Sequence, residues 1–481
     1  MLTFIIGLVI LFIGGIVYGK FCEKTLAPDS RKTPAVANND GVDYVPMPKW
    51  KNSLIELLNI AGTGPILGPI QGILFGPIAF ILIPIGCVFG GALHDYFSGM
   101  ISIRENGTQM PGLVKKYLGK NVYRIYNAFL CLLLLLVVAV FVTTPGDLFA
   151  TQILNTDASI GNPTIWIIYG CIFAYYIIAT LFPIDKIIGK IYPIFGGILL
   201  LSAVGIFFGL FIKGYPLTNV SLSNWKGIHP DGIPILPIFF VTVACGIVSG
   251  FHSTQATLIG RSVTNEKEGR MTFYNMMILE GFIAMIWAAA TMGALGLYKD
   301  AQGLAPVGMV GFIAKDMLGK VGGMIAIIGV IVLPITTGDT ALRSLRLILA
   351  DLFKFDQSKA KNRVSLCAAI SAVVIVILLF SKLNAAGFNI LWRYFSWSNQ
   401  AIAIFAFAII SIYLFAAKKP FLMALIPGAF YAFIISTYIF NAQIGFNIPI
   451  KISYVMGVIF AALYCWFIIE KAKKKREAKA E

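Results

Sequence analysis

Two stretches decide how this chain folds: Ala61-Gly62-Thr63-Gly64-Pro65-Ile66-Leu67-Gly68-Pro69, and Ala244-Cys245-Gly246-Ile247-Val248-Ser249-Gly250-Phe251-His252-Ser253-Thr254. Each interrupts an apolar segment long enough to cross a bilayer. Proline lacks a backbone donor and clashes with the preceding turn, and glycine accepts almost any backbone angle, so both stretches should unwind locally. Broken backbone at membrane depth survives only where it lines a cavity or is buried in protein.

The surrounding chain explains why the bilayer is the solvent. Of 481 residues, 58% are hydrophobic and 12% charged, against about half and about a quarter in an ordinary soluble domain. The apolar residues fall in runs of about 20, enough to cross a hydrocarbon core of about 30 Å. Thirteen candidate spans begin near residues 2, 53, 74, 122, 162, 188, 234, 272, 320, 364, 396, 420 and 450. The run from Thr3 to Gly19 lacks a basic start and a small-residue cleavage site, so it reads as a membrane helix rather than a secretion signal. Seven cysteines without paired spacing read as small core residues.

If the spans alternate in direction, all 38 Lys and Arg except Lys213, Lys226, Lys299, Lys315, Lys320, Lys382, Arg393 and Lys451 fall on one side. Basic residues near helix ends stay cytoplasmic, so the N-terminus is expected outside and the tail inside, in the cytoplasmic (inner) membrane. The net charge of +16 is then a matter of topology and not a nucleic-acid-binding face.

The breaks fall in the second and seventh spans. Five spans apart is an odd number, so the two enter from opposite faces, the signature of an inverted repeat. The expected architecture is an all-α integral membrane protein with a 5+5 inverted repeat and broken helices 2 and 7. Residues 1–20 form a leading helix, 21–52 a cytoplasmic linker, 53–215 and 234–417 the two repeats, 418–470 two trailing helices, and 471–481 a basic tail.

At the two breaks the chain resembles the carbon starvation protein CstA family. The matching stretches are Ala61 to Pro69, Gly90 to Asn106 with Asp95, Ala244 to His252, Leu279 to Gly281, Asp339 to Asp351, and Trp392 to Gln400, in that order. The resemblance implies the LeuT-type inverted repeat and import of pyruvate with a proton, or of peptides. The chain looks like the shorter form of the family. His94 stands where some relatives have a non-titrating residue, which ranks it below Asp95.

Discontinuous helices at matching positions of two halves point to a transporter's solute site. The start of each second half-helix offers N–H groups and partial positive charge that suit a carboxylate. The candidates are Gly62, Thr63, Gly64, Pro65, Gly68, Ser249, Gly250, Phe251, His252, Ser253 and Thr254, with Asn399 and Gln400 as polar groups in the eleventh span. The plainer reading is that the small residues only let helices pack closely.

Coupling needs an ionisable group in the membrane, where such groups are rare and functional by default. His252, Glu280, Asp95 and Asp339 qualify, although Asp339 and Arg343 are four apart and can simply pair. Hydroxyls of Thr336, Thr337 and Thr340 with carbonyls of the first break offer sodium an alternative site. With three histidines, no H-E-x-x-H and no G-x-S-x-G, an enzyme is not expected, nor a cofactor or resident metal. The rivals are a membrane-embedded metal enzyme using His94, Asp95 and His252, and a channel. The expected function is secondary active import of a small organic solute, pyruvate with a proton, by alternating access. Peptide or amino-acid import, with sodium as the coupling ion, is the alternative.

Overall fold

A computed structural model describes residues 1–41, 44–181, 185–356, 359–384 and 386–477. Its principal helices are α1 (Leu2–Leu26), α2 (Lys49–Ile60), α3 (Gly64–Phe75), α4 (Ala79–Arg104), α5 (Met110–Leu118), α6 (Lys120–Ile153), α7 (Pro163–Leu181) and α8 (Asp185–Ile212). They continue as α9 (Gly250–Ile259), α10 (Glu266–Leu297), α11 (Pro306–Leu352), α12 (Ala360–Leu383), α13 (Gly387–Ala416), α14 (Leu422–Asn441) and α15 (Ile450–Glu477).

Among the described residues ten helices are long and apolar enough to cross a membrane, or eleven if the bent pair α2 and α3 is one span. This length measure does not return the expected thirteen. The described apolar part of α7 is only Pro163–Ala179, and the segment ending in α9 is split by its own break.

Three boundaries move for identifiable reasons. The leading helix continues to Leu26, where Ala27 turns into the left-handed region at φ 58°. The third span begins at Ala79 instead of near 74, because residues Ile73–Phe75 form a 3-10 turn ended by Gly76 at φ 90°. The ninth span is preceded by an extra helical stretch from Pro306, and the chain turns at Gly319 (φ 70°) before crossing.

The expected cytoplasmic linker is also anchored. Met47 forms a parallel bridge with Val263, its amide donates to Ser262 O at 3.0 Å, and Asn52 Nδ2 donates to the same carbonyl at 3.1 Å.

Packing joins the two expected repeats: α11 lies against α6 and α8, α13 against α6, α10 against α3, and α9 against α4, while α13 also packs on α9 within the second repeat. Aromatic side chains such as Tyr96, Tyr126, Tyr274 and Trp392 are buried between them. The α-amine of Met1 donates to Leu217 O at 2.6 Å. Lys213 pairs with Asp316, and Lys382 with Asp147, each at 2.8 Å.

Candidate functional site

Both interruptions are real breaks. Helices α2 and α3 meet at 47° across Ala61 to Thr63. Between Phe239 and Ser249 the chain runs through turns, with Gly246 at φ 86° and Ser249 extended, before α9 starts. A Cβ on Gly64 would sit 2.3 Å from Cys245 Sγ, so the breaks pack directly against each other. A Cβ on Gly246 would lie 2.5 Å from that of Ala284 on α10.

Helix α13 fixes the second break. Asn399 Oδ1 accepts from Ser249 Oγ at 2.8 Å and from the Phe251 amide at 3.3 Å, while its Nδ2 donates to Phe395 O at 3.0 Å. Gln400 Nε2 donates to Phe240 O, and Trp392 Nε1 to Thr242 O at 2.9 Å. Asn399 thus caps the start of α9, and Gln400 makes an interhelical bond of the sort small polar groups make in membranes.

Beside the breaks lies a buried titratable cluster. His94 Nδ1 is 2.7 Å from Asp95 Oδ1, His252 Nδ1 is 3.1 Å from Asp95 Oδ2, and His252 Nε2 is 3.7 Å from Glu280 Oε1, with every side chain at most 1% exposed. With Asp95 ionised, His252 Nδ1 donates to its carboxylate, and the neutral ring then presents the lone pair of Nε2 to Glu280. Two acceptors then face each other, an arrangement completed by a proton or another cation between them. Neither Glu280 oxygen has a hydrogen-bond partner.

Sequence reasoning missed two members. Glu56 on α2 is fully buried, both its oxygens lack partners, and it lies close enough to feel the charges of Asp95 and His252. The signal was available: Glu56 is the sole acidic residue between Pro48 and His94. Its neighbours Lys49, Lys51, Asn52 and Ser53 disguise it as part of an interfacial helix start. The other is Cys245, which approaches both His252 and Glu280.

A cavity of about 20 Å³ lies between the breaks, room for one water. Of the expected solute residues, Gly62, Gly64, Ser249, Phe251, His252 and Asn399 wall it, joined by Cys245, Phe141 and Phe395. Thr63, Pro65, Gly68, Gly250, Ser253, Thr254 and Gln400 do not. Ser253 and Thr254 turn their hydroxyls back to Gly250 O and Phe251 O, at 2.7 and 2.6 Å. Asp339 accepts from Tyr175 OH at 2.7 Å and from Thr340, and Thr336 and Thr337 donate to Leu333 O at 2.8 and 3.1 Å. These bonds run to α7 and within α11.

A second cavity of about 490 Å³, lined by Gln71, Asp147, His229, Thr242 and Arg393, reaches down toward the breaks from the end that carries Met1. At the other end lies a largely buried ion pair of Arg104 with Glu266, 2.9 Å. A third cavity, about 710 Å³, is an apolar groove walled by Tyr18, Phe89, Phe240 and Phe430 that contains none of the expected site residues.

Comparisons with known proteins agree with this architecture. A profile of the family described as Carbon starvation protein CstA matches residues 1–156, 144–305 and 292–438. An uncharacterized membrane protein of Haemophilus influenzae is 42% identical over 349 residues, 63% of this chain and 93% of that protein. The peptide transporter CstA of Escherichia coli is 24% identical, over 86% of this chain and 76% of its own length. The pyruvate/proton symporter BtsT of Escherichia coli is 25% identical, over 58% of this chain and 47% of its own length, so the match spans about half of that relative.

Among solved structures, a manganese transporter of Eremococcus coleocola superposes with a TM-score of 0.56 at 12% identity, covering 91% of this chain and 99% of that one. MhsT in complex with L-phenylalanine superposes with 0.54 at 14%, covering 88% and 98%. At these identities the likeness establishes a LeuT-type fold and no more. These functionally named relatives and fold neighbours are transporters, not enzymes. With matched segments running from residue 1 to residue 438, this multi-pass membrane protein belongs to the carbon starvation protein CstA family.

Proposed function

We propose that the protein is a secondary transporter that brings a small carboxylate, pyruvate in the first place, into the cell together with a proton. The observation that carries this reading is the buried line Asp95, His252, Glu280, in which two acceptor atoms face each other at 3.7 Å. A proton bound there compensates the carboxylates, and His252 also walls the cavity between the breaks. Solute and proton would therefore sit side by side.

The solute's carboxylate is assigned to the cavity at Gly62, Gly64, Ser249 and Phe251, where α3 and α9 begin and their dipoles favour an anion. Asp339, Thr336 and Thr337 are assigned to α11's side of the pathway, where a sodium ion would be the alternative coupling ion. The asymmetric basic loops support a cytoplasmic membrane, with the N-terminus outside and the tail inside. In this orientation the 490 Å³ cavity would open outward and the Arg104–Glu266 end would be the closed one.

Alternating access then consists of opening that end while the outer cavity closes. The peptide-transporter names of several relatives favour a second reading, import of a short peptide. The close contact of Gly64 with Cys245 supports the smaller solute, which needs less separation of the breaks.

The test is uptake of labelled pyruvate into proteoliposomes under an inward proton gradient, with peptides and amino acids as competitors and a sodium gradient as control. Saturable uptake driven by the proton gradient supports the reading. Flux of peptide or amino acid alone, or sodium dependence, replaces its solute or its ion.

A further inference from the structure

The atoms that present an acceptor pair to a proton also form the corner of a coordination sphere. Cys245 Sγ, His252 and a Glu280 oxygen offer ligand atoms that all lie within 4.8 Å of one another, and all three residues are buried. The three come from the broken backbone, the start of α9 and the middle of α10, so the fold itself gathers them. We propose that this triad binds one divalent transition-metal ion of the zinc class, with Asp95 as the group that orients His252.

Three features of the site point to a ligand. The His252 tautomer is set by its 3.1 Å contact from Nδ1 to Asp95, which leaves Nε2 free to coordinate. Metal-bound histidines are held in this way by a carboxylate on their other nitrogen. His252 Nε2 and both Glu280 oxygens are buried and have no hydrogen-bond partner, although unsatisfied buried polar atoms are expensive. The donor set of thiolate, imidazole and carboxylate suits zinc, which takes all three at 2.0–2.3 Å and tolerates three protein ligands plus an open position.

An open fourth position would face the small cavity, because Cys245 and His252 are on its wall. An entry path is available from the 490 Å³ cavity, whose wall includes Thr242, three residues before Cys245. Closing the sphere needs shifts of about an ångström, since tetrahedral ligands sit closer together than 4.8 Å. Binding would release the Cys245 thiol proton to solvent, because the thiolate is the ligand. A bound ion would also occupy the space between His252 and Glu280 that the proposed proton needs, so metal and proton compete whichever solute is carried.

The test uses the full chain purified in detergent and titrated with Co²⁺, whose thiolate complexes give a charge-transfer band in the near ultraviolet. One Co²⁺ per chain should bind, the band should appear, and one equivalent of Zn²⁺ should remove it. Cys245→Ser should lose the band, Cys87→Ser should keep it, and Asp95→Asn should keep the band but bind about 10–100-fold more weakly. Asp95→Asn leaves all three ligands in place, so it remains informative even if Cys245→Ser fails to fold.

No saturable binding, or a band that survives Cys245→Ser, overturns the metal site. Wild-type uptake in the presence of a chelator separates the two proposals. Proton-driven uptake without a cobalt band removes the metal and leaves the transporter, and a band without uptake does the reverse.

Discussion

Glu266→Gln should loosen the end of the protein that, on the proposed mechanism, is the closed one. Arg104, the last residue of α4, donates from Nε and Nη2 to the two Glu266 oxygens at 3.0 and 2.9 Å. It also donates to Leu26 O at 3.1 Å, Ala27 O at 2.9 Å and Tyr413 OH at 3.3 Å, so one guanidinium ties the ends of α1 and α4 to the start of α10 and to α13. The Glu266 side chain is fully buried and that of Arg104 is 10% exposed. Removing one partner of a buried ion pair is destabilising by about 3–5 kcal/mol, because the other charge is left uncompensated.

Glutamine keeps the shape and one acceptor, and the site is close to the aqueous end, so the lower figure of about 3 kcal/mol applies. If the pair exists only while this end is closed, the closed-to-open ratio falls by the same amount, roughly 150-fold at 1.36 kcal/mol per decade. A population of about 99:1 would then approach about 1:1. Hydrogen exchange reads this directly, because the Met47 amide donates to Ser262 O only while the linker is docked on the α10 side. Protection at Met47 should collapse in Glu266→Gln and depend little on salt, since buried pairs are weakly screened. Unchanged exchange at Met47 together with unchanged uptake would refute the latch.

Three further outcomes follow from the same contacts. Gly64→Ala puts a methyl 2.3 Å from Cys245 Sγ, an overpacking typically worth about 1–3 kcal/mol; a lowered Tm and reduced uptake are expected, and adding Cys245→Gly should recover most of the Tm. Glu280→Gln should abolish the pH-driven component of uptake while leaving solute exchange partly intact, and unchanged pH-driven uptake would remove Glu280 from the relay. Lys382→Met leaves the mostly buried Asp147 without its 2.8 Å partner and should destabilise by about 3 kcal/mol or more; the double variant with Asp147→Asn should recover part of the loss in thermal unfolding.

What the sequence made legible was whatever depends on composition and on backbone chemistry. The breaks at Ala61 to Pro69 and Ala244 to Thr254 were visible because glycine and proline announce themselves. Asp95, His252 and Glu280 stood out because charge inside an apolar run is rare. Their pairing was not legible, since 157 residues separate His252 from Asp95 and only tertiary packing brings Nδ1 to the carboxylate. Glu56 was hidden by polar neighbours, and Cys245 by the ordinary habit of cysteine as a small core residue. The linker before Lys49 looked like a plain connection because a bridge of one residue pair, Met47 with Val263, leaves no periodic trace.

The charge inventory of the cluster finally bears on the solute itself. Glu56, Asp95 and Glu280 ionised, with His94 and His252 neutral, would bury three negative charges, and each isolated ion is penalised by several kcal/mol. Asp95 is supported by two imidazole contacts, while Glu56 and Glu280 have no donor. The closed core must therefore carry compensating positive charge before it can occlude anything. An anionic solute bound in the proposed cavity beside His252 would add one more negative charge and so could not be occluded alone. A zwitterionic amino acid or peptide adds no net charge and makes no such demand. Pyruvate should accordingly enter with at least one more proton per molecule than a zwitterion does, which paired measurements of solute flux and internal pH in proteoliposomes can count. Equal proton-to-solute ratios for the two classes would mean that the buried cluster does not sense the solute's charge, and that coupling resides elsewhere in the bundle.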